Sequence, residues 1–240
     1  LSDREQSMFP AIALLAVLAD TQPHEMIYVS TSDDLATIVA NAEDNAELVL
    51  ADGTYLPAGS ATNALEINKS LTIRAVNPGK AVLDGNKTRR VLSIQGPKHV
   101  TIVGVAITNG LVENENRGGG VRINMPGGMV HFQNSDIFAN QVTWKFGAVG
   151  GGVHIDDAIL VEFWNCKIFS NHVMGGDPSA KCDPGLPTDH SDCGAGLSAK
   201  GGAESSVIAD ATTRIYNNTG SAADCYPADL SPACGHSNQV

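Results

Sequence analysis

The chain has 240 residues, and its 26 acidic and 15 basic residues give a formal net charge of −11. The basic residues are scattered, which argues against a nucleic-acid or anionic-membrane surface, because either partner requires a basic patch. Charged residues are only 17% of the chain while Gly, Asn, Ser and Thr are frequent, which favours a turn-rich β protein over a helical bundle.

Residues 1–25 form an N-terminal apolar segment. The run from Phe9 to Leu18 is too short to span a bilayer, so no integral membrane span is predicted. Val17-Leu18-Ala19 has the small-residue pattern of a signal-peptidase site, and a short helix docked against the end of the fold explains the same residues. Both interpretations stay open.

A single helix is predicted before the first strands. Thr31-Ser32-Asp33-Asp34 is an N-cap pattern that indicates a helix from about Asp33 to Ala42. Three apolar residues share one face of it: Leu35, Ile38 and Val39. Such a helix would cap the first turn of a stack of strands, which would otherwise expose an apolar cross-section.

The centre of the chain contains the same sequence twice. Gly118-Gly-Gly-Val-Arg-Ile123 recurs as Gly150-Gly-Gly-Val-His-Ile155, and the segment 131–140 recurs as 162–171. A period of about 30 residues made of short apolar alternations, Asn and Gly predicts a stacked parallel solenoid. It occupies residues 26–220, which we predict to be one domain.

Aligning the repeats predicts one register for the stack. The inward positions of the first strand are Leu65, Leu92, Val121, Val153 and Leu197. One outward row contains Glu66, Ser93, Arg122, His154 and Ser198, and the other contains Asn68, Gln95, Asn124, Asp156 and Lys200. Two further inward rows are Ile102, Phe132 and Phe163, and then Ile107, Ile137, Ile168 and Ile215.

Several polar positions of the repeat are predicted to be structural. Asn134 and Asn165 stack at a bend, where their amides bond to each other and to the backbone. In the next turn, Asn tolerates left-handed backbone geometry, and the residues there are Asn140, Asn171 and Asn218. The glycine runs are tight turns, because an alternating strand follows each of them instead of the helix of a phosphate-binding loop.

The cysteines divide into two loop-bracketing pairs and one isolated residue. Cys182 and Cys193 belong to a loop at 174–193, and Cys225 and Cys234 to a C-terminal loop and tail at 221–240. Two local disulfides are the economical interpretation, and they imply a secreted, cell-surface or organelle-luminal protein. Free thiols in a reducing cell are the alternative. Cys166 takes the place of Ser135 in the repeat, which favours a small core residue over a nucleophile.

The predicted helix, Leu48-Val-Leu-Ala-Asp-Gly-Thr-Tyr55, the segment 65–75 and Ala81-Val-Leu-Asp-Gly-Asn86 resemble the opening of pectate-lyase-like proteins. The Gly-Gly-Gly-Val and Ile-Phe-x-Asn pairs also resemble repeats of chlamydial polymorphic outer membrane proteins. The resemblance implies an all-β fold, a right-handed parallel β-helix of about six turns with an N-terminal α-helical cap. It leaves activity open, because the superfamily includes lyases, hydrolases, adhesins and non-enzymes.

In enzymes of that superfamily the groove lies on the outer face of the first strand. The resemblance therefore makes four residues there the catalytic candidates: Arg122, His154, Asp156 and Lys200. Asp156 and Asp157 are Ca²⁺ candidates under the lyase alternative alone, and no other cofactor is predicted. The neighbouring strand adds no further carboxylate, and an ordinary cross-strand ion pair between Asp156 and Lys200 explains the same residues.

A polygalacturonase-like hydrolase is the other enzymatic alternative. Asn134-Ser135-Asp136 followed by Asp156-Asp157 is similar to part of the pattern of that family. However, Asp136 occupies the repeat position of Lys167, Gly235-His236-Ser237 comes too late to match the Gly-His-Gly of that family, and no Arg-Ile-Lys follows.

The leading functional prediction is a non-catalytic protein that binds a glycan or a protein partner, or serves as an architectural subunit of a larger assembly. The binding candidates are Glu66, Gln95, Asn124 and Trp164. Trp164 replaces Gln133 at an outward position, where it stacks on a sugar or a partner, or is partly buried under the 174–193 loop.

Overall fold

Parallel strand pairing organises the molecule. The computed structural model describes residues 24–60, 62–96, 98–113, 117–143, 148–174, 195–199, 206–219 and 225–226. In these ranges the chain forms one helix and 20 strands, and all paired strands are parallel. The protein is therefore all-β with parallel strands in stacked sheets, an arrangement consistent with a parallel β-helix or a related solenoid.

The elements are short, and two strands are long because they bend from one face to the next. The helix α1 spans Leu35–Asn41. The strands are β1 (Met26–Val29), β2 (Ala46–Leu50), β3 (Gly53–Tyr55), β4 (Asn63–Ile67), β5 (Leu71–Ala75), β6 (Ala81–Asp84), β7 (Arg90–Gln95), β8 (His99–Val103), β9 (Val105–Thr108), β10 (Leu111–Val112), β11 (Val121–Gln133), β12 (Asp136–Phe138), β13 (Gln141–Thr143), β14 (Val153–Trp164), β15 (Lys167–Phe169), β16 (His172–Met174), β17 (Leu197–Ala199), β18 (Ser206–Ala209), β19 (Arg214–Tyr216) and β20 (Cys225–Tyr226).

The strands stack into three faces that the chain visits in turn. The first face contains β4, β7, the first halves of β11 and β14, β17 and β20. The second face contains β1, β2, β5, β8, the second halves of β11 and β14, and β18. These two faces form one 11-stranded sheet because β11 and β14 run through both, and a six-stranded sheet makes the third face. A three-stranded sheet of β10, β13 and β16 joins the third face to the first.

The predicted inward register is confirmed at every position that the strands test. Leu65 pairs with Leu92, Leu92 with Val121, Val121 with Val153, and Val153 with Leu197. All five residues have 0% exposure. The inward rows of the other faces are also confirmed, and the rings of Phe132 and Phe163 stack with their centroids 5.1 Å apart. One continuous apolar core therefore runs through the stack.

The outward rows of the first face differ from the prediction in two ways. Their first row keeps its register, but Ser93, His154 and Ser198 are only 2%, 4% and 3% exposed, so three of its five members are closed to solvent. The second row is broken by a β-bulge, which places Asp157 and not Asp156 opposite Asn124.

The helix is confirmed where the N-cap pattern placed it. The Asp34 side chain accepts hydrogen bonds from the backbone N–H groups of Ala36 and Thr37, and α1 begins at Leu35, two residues later than predicted. Leu35 and Val39 are buried in the core. The helix packs against β4, and β4 is the first strand of the first face within the described residues.

A ladder of buried asparagines holds the turn after the third face. The Asn171 Oδ1 accepts from the backbone N–H and the side-chain Nδ2 of Asn140 at 3.1 and 3.0 Å. The Asn171 Nδ2 donates to the Ile137 carbonyl and to the Asn218 Oδ1 at 3.0 and 2.9 Å. Because each amide satisfies the next, the asparagines can be fully buried.

The predicted reason for these asparagines was wrong. The preceding residues, and not the asparagines, have left-handed backbone conformations: Ala139, Ser170 and Asn217, with φ of 54°, 53° and 54°. Asn134 and Asn165 do have positive φ, 52° and 51°, and the Asn165 Nδ2 donates to the Asn134 Oδ1 at 2.7 Å as predicted.

The glycine runs are turns, as predicted. Gly118 and Gly150 have φ of +60° and +61°, a conformation that favours glycine. At Gly120 a Cβ would lie 2.6 Å from the Gly152 carbonyl oxygen and 2.7 Å from the Asn140 Nδ2, so the turns also pack too closely for a side chain. In the part of the chain that the structure describes, no helix is long and apolar enough to cross a membrane.

Replacing the central asparagine of the ladder tests its contribution. We expect Asn171→Ala to lower the free energy of unfolding by at least about 2 kcal/mol, because it leaves buried donors and acceptors unpaired. Asn165→Gly is the matched control: it removes an exposed amide, keeps the positive φ, and should cost less than about 1 kcal/mol. Urea unfolding followed by circular dichroism measures both, and equal losses would contradict the ladder's special role.

Candidate functional site

A β-bulge in β14 takes Asp156 out of the outward row of the first face. Ile123 pairs with Ile155, and the next pair is Asn124 with Asp157, so Asp156 is the extra residue. Bulges change the direction of a side chain and often lie beside functional sites. The predicted pairing of Asp156 with the Asn124 row was therefore wrong by one residue.

The displaced carboxylate is held by two arginines. Arg117 Nη1 donates to Asp156 Oδ1 at 2.5 Å, and Arg122 Nε donates to Asp156 Oδ2 at 2.6 Å. The Asp156 side chain is 10% exposed and each arginine side chain is 25% exposed. Lys200, the predicted partner, lies outside the described residues.

Arg117 is the member of this cluster that the sequence did not reveal. It lies just before the first glycine run, where the second copy of the repeat has Val149, and the two residues form an isolated parallel bridge. The buried Arg90 fixes this turn by donating to the carbonyls of Gly118 and Arg117 at 2.8 and 2.9 Å. The substitution of Arg for Val between the copies was the available signal.

His154 is buried beside this ion pair. Its Nε2 lies 3.4 Å from Asp156 Oδ1, and in the described part of the chain neither ring nitrogen has a hydrogen-bond partner. Burial lowers the pKa of His154, and the charges of Arg117 and Arg122 lower it further, against the opposing effect of Asp156. The imidazole is therefore neutral at neutral pH.

Asp156 itself stays ionised. Burial alone would raise its pKa, but the contacts with His154 and Arg122 outweigh burial and hold the pKa well below its usual range. Because His154 is neutral, the arginines supply the opposite charge. Such a carboxylate is a weak base, and both of its oxygens are already hydrogen-bonded.

The cluster around Asp156 has few groups that could serve as ligands for a cation. Among the described residues, no group of three or more His, Cys, Asp or Glu side chains could hold a metal ion. Asp157 is the other Ca²⁺ candidate, and it lies one residue past the bulge, opposite Asn124. The arrangement fits an ion pair that fastens the Gly118 turn to β14 better than it fits an open cation site.

The other binding candidates of the first face are separated. Glu66 accepts hydrogen bonds from Asn63 Nδ2 and Ser60 Oγ at 2.8 and 2.6 Å, and these contacts lower its pKa. Gln95 donates to Ser93 Oγ at 3.0 Å, while Asn124 is exposed. None of them lies beside Trp164, which is on the second face.

The second face carries two outward rows in unbroken register, which we call the second-face surface. One row contains Met26, Glu47, Thr72, Thr101, His131, Glu162 and Ile208. The other contains Tyr28, Val49, Arg74, Val103, Gln133 and Trp164.

Trp164 is the most prominent group at one end of this surface. It is 45% exposed, which confirms its outward position, and Ile208 nearby is 47% exposed. The indole meets the His131 ring edge to face, with centroids 5.1 Å apart, and His131 Nδ1 lies 3.0 Å from Glu162 Oε2. The 174–193 loop, under which Trp164 was expected to be partly buried, lies outside the described residues except for Met174.

Polar groups beside this indole keep their hydrogen-bonding capacity. Within the described residues, Trp164 Nε1, the Gln133 side-chain amide and Glu162 Oε1 form no hydrogen bond. The structure thus combines an exposed aromatic ring with unused donors and acceptors on a firm sheet. The sequence indicated Trp164 but gave no reason to place it beside His131 and Glu162.

Cys166 is the cysteine whose side chain the structure describes, and it is not a reactive group. Cys166 is a free, buried thiol, and burial raises its pKa to about 11, which agrees with its predicted role as a core residue. Cys182, Cys193 and Cys234 lie outside the described residues. Cys225, expected in a loop, lies in β20, paired with Leu197. Both disulfides stay predictions.

Comparison with known proteins does not identify a family. No protein-family model, no curated protein and no solved structure matches the chain. The resemblance to pectate-lyase-like and chlamydial repeat proteins therefore stays a prediction, and function has to be inferred from the side chains themselves.

His154 should make stability depend on pH. Its pKa in the folded protein is below the ordinary value of 6.5, so the unfolded chain binds a proton that the folded protein does not. Stability is therefore lost as the pH falls below 6.5. We expect His154→Leu to make the loss between about pH 7 and pH 5 shallower, by up to about 1.4 kcal/mol per pH unit.

Urea unfolding at a series of pH values measures this slope. His99→Leu, which removes an exposed histidine, controls for the loss of an imidazole. Parallel curves for the two variants would show that His154 does not carry the pH dependence.

Proposed function

We propose that the protein is a non-catalytic parallel β-helix protein that binds a glycan on the second-face surface around Trp164. The observation that carries the proposal is the exposed indole of Trp164 beside unused hydrogen-bonding groups of Gln133 and Glu162. Ligand sites commonly combine an apolar surface with a few placed polar groups. A sugar ring has this dual character, because its C–H groups pack on an aromatic ring while its hydroxyls bond to planar side chains.

Charge favours a neutral glycan over an acidic one. Glu162 brings a carboxylate next to the indole, and the chain as a whole carries a net charge of −11. A polyanion would be repelled by both. His131 pairs with this carboxylate and does not form a separate basic site.

A glycan suits this surface better than a protein partner does. A stable protein interface buries a broad patch with a tightly packed apolar centre, about 800 Å² on each partner. The exposed apolar side chains of this face instead lie at its two ends, and the residues between them are polar except for Val49, which is buried, and Val103, which is half-buried. A protein partner or a larger assembly is the alternative outcome of the tests.

The finer description of the fold is part of this proposal. A right-handed parallel β-helix of about six turns, with α1 as its N-terminal cap, is supported by the strong preference of parallel crossovers for the right hand. The position of α1 against β4 supports the cap. With the predicted disulfides of the two cysteine loops, this architecture suits a secreted, surface or luminal protein.

The non-catalytic part of the proposal is supported by the first face. The carboxylate that an enzyme of the pectate-lyase-like type would use, Asp156, has both oxygens bonded to arginines, and His154 beside it is 4% exposed. Catalysis there would require this ion pair to open. A polysaccharide lyase or glycoside hydrolase stays the alternative.

Trp164 fluorescence tests the proposed site directly. The chain has only two tryptophans, so Trp144→Phe leaves Trp164 as the single indole. We expect a saturable change in emission with at least one neutral oligosaccharide among cellohexaose, xylohexaose, mannohexaose and galactohexaose, and a weaker response to polygalacturonate.

The matching variant is Trp164→Ala in the otherwise unchanged protein, measured by calorimetry. Affinity should fall about tenfold or more, while Tyr216→Ala, which removes an aromatic ring from the third face, should leave it unchanged. Glycan binding that survives Trp164→Ala would place the site elsewhere.

A separate assay addresses the enzymatic alternative. The protein is incubated with polygalacturonate and Ca²⁺ while the absorbance of unsaturated product is followed. We expect no product. Product that disappears in Asp156→Ala would overturn the non-catalytic proposal in favour of a lyase acting on the first face.

A further inference from the structure

We propose that the ligand is an extended linear polysaccharide that lies along the stacking direction of the strands, in contact with Trp164 at one end and Tyr28 at the other. This inference rests on the proposed glycan function and adds the shape and length of the ligand. It concerns the second-face surface as a whole, whereas the proposed function depends on its Trp164 end alone.

Tyr28 and Trp164 belong to one row. Tyr28 pairs with Val49, Val49 with Arg74, Arg74 with Val103, Val103 with Gln133, and Gln133 with Trp164. These five pairings are consecutive steps across the sheet, without a register shift. At about 4.8 Å for each strand step, the two aromatic positions are about 24 Å apart.

The side chains of this surface are most exposed at its two ends. Tyr28 is 73% exposed and Met26 beside it is 50% exposed, while Trp164 and Ile208 are 45% and 47% exposed at the other end. Between the ends, Val49 is buried, while Thr72, Thr101, Val103 and the longer Arg74 are half-buried. The result is a less exposed middle with an exposed aromatic side chain at each end.

The middle of this surface is mostly polar. Arg74 Nε donates to Glu47 Oε1 at 2.6 Å, which matches these two charges, while Glu162, 3.0 Å from His131 Nδ1, brings a carboxylate next to Trp164. The hydroxyls of Thr72 and Thr101 form no hydrogen bond within the described residues. One of the two rows therefore offers one hydrogen-bonding side chain per strand from Glu47 to Glu162.

A neutral linear polysaccharide matches these features together. Its repeating hydroxyls can bond to groups that recur at each strand step, and its length lets one molecule contact both aromatic ends. A disaccharide or trisaccharide reaches only one end. Contacts at both ends belong to one binding event, so the second contact adds affinity at a small additional entropic cost.

The test is affinity as a function of chain length. Linear β-1,4-linked glucose and xylose oligomers, from the disaccharide to the octasaccharide, are titrated into the full-length protein by calorimetry. Affinity should rise with length and then level off once an oligomer reaches from Trp164 to Tyr28. The gain from the trisaccharide to the octasaccharide should be about tenfold or more.

Two substitutions separate this inference from the proposed function. Tyr28→Ala should remove the gain of the long oligomers and leave the affinity of the short ones unchanged, while Tyr28→Phe should retain the gain. Trp164→Ala should weaken all lengths. Tyr216→Ala on the third face is the matched aromatic control, and circular dichroism confirms the fold of each variant.

The outcomes are distinguishable. Affinity that depends on Trp164 but not on chain length or Tyr28 overturns the extended ligand and leaves the proposed function standing. No binding of any oligomer overturns both. Self-association in sedimentation experiments that Tyr28→Ala abolishes assigns this face to a second copy of the chain, and it also overturns the inference.

Discussion

In-register stacking of parallel strands is the constraint on which the rest of this structure depends. At the spacing of strands in a sheet, every side chain lies directly above and below its counterparts. Inside the stack, a side chain fits only if it packs against, or forms hydrogen bonds with, the side chains directly above and below it. Phe132 and Phe163 meet this condition by stacking their rings, and the buried asparagines meet it because an amide donates to the next amide and accepts from the previous one. Repetition of the sequence is therefore a direct consequence of the fold.

The same constraint explains the ion-pair cluster of the first face. A charged residue within a tightly packed row needs a partner, and the bulge at Asp156 provides two by moving the carboxylate toward Arg117 and Arg122. Breaking a buried pair of this kind is costly because a charge is left without compensation. The cluster thus stabilises the glycine turn. His154 beside it is buried in its neutral form, so no further charge is buried. Packing therefore explains why charged and titratable residues cluster here.

Inward residues could be predicted from the sequence because they repeat. Leu65, Leu92 and Val121 were aligned correctly, since a shift of one residue would have exposed apolar side chains. The bulge could not be predicted, because Asp156 and Asp157 are both polar and either satisfies the outward pattern. Trp164 was correctly placed outward, yet its contact with His131 was not predicted, because this contact runs diagonally between two outward rows. Burial of Ser93, His154 and Ser198 depends on contacts between residues distant in the sequence, which local alternation does not reveal.

At outward positions, stacking does not determine the residue type. Departures from the repeat at these positions therefore need another cause. On the third face, Phe138, Phe169 and Tyr216 stack on one another, with centroids 5.1 and 5.3 Å apart, and each ring gains from its neighbour. On the second face, Tyr28 lies opposite Val49 and Trp164 opposite Gln133, so neither ring has an aromatic neighbour in its row. Trp164 gains an edge-to-face contact with His131, but both rings still leave apolar area in water. The proposed ligand would cover both rings and remove this area from water.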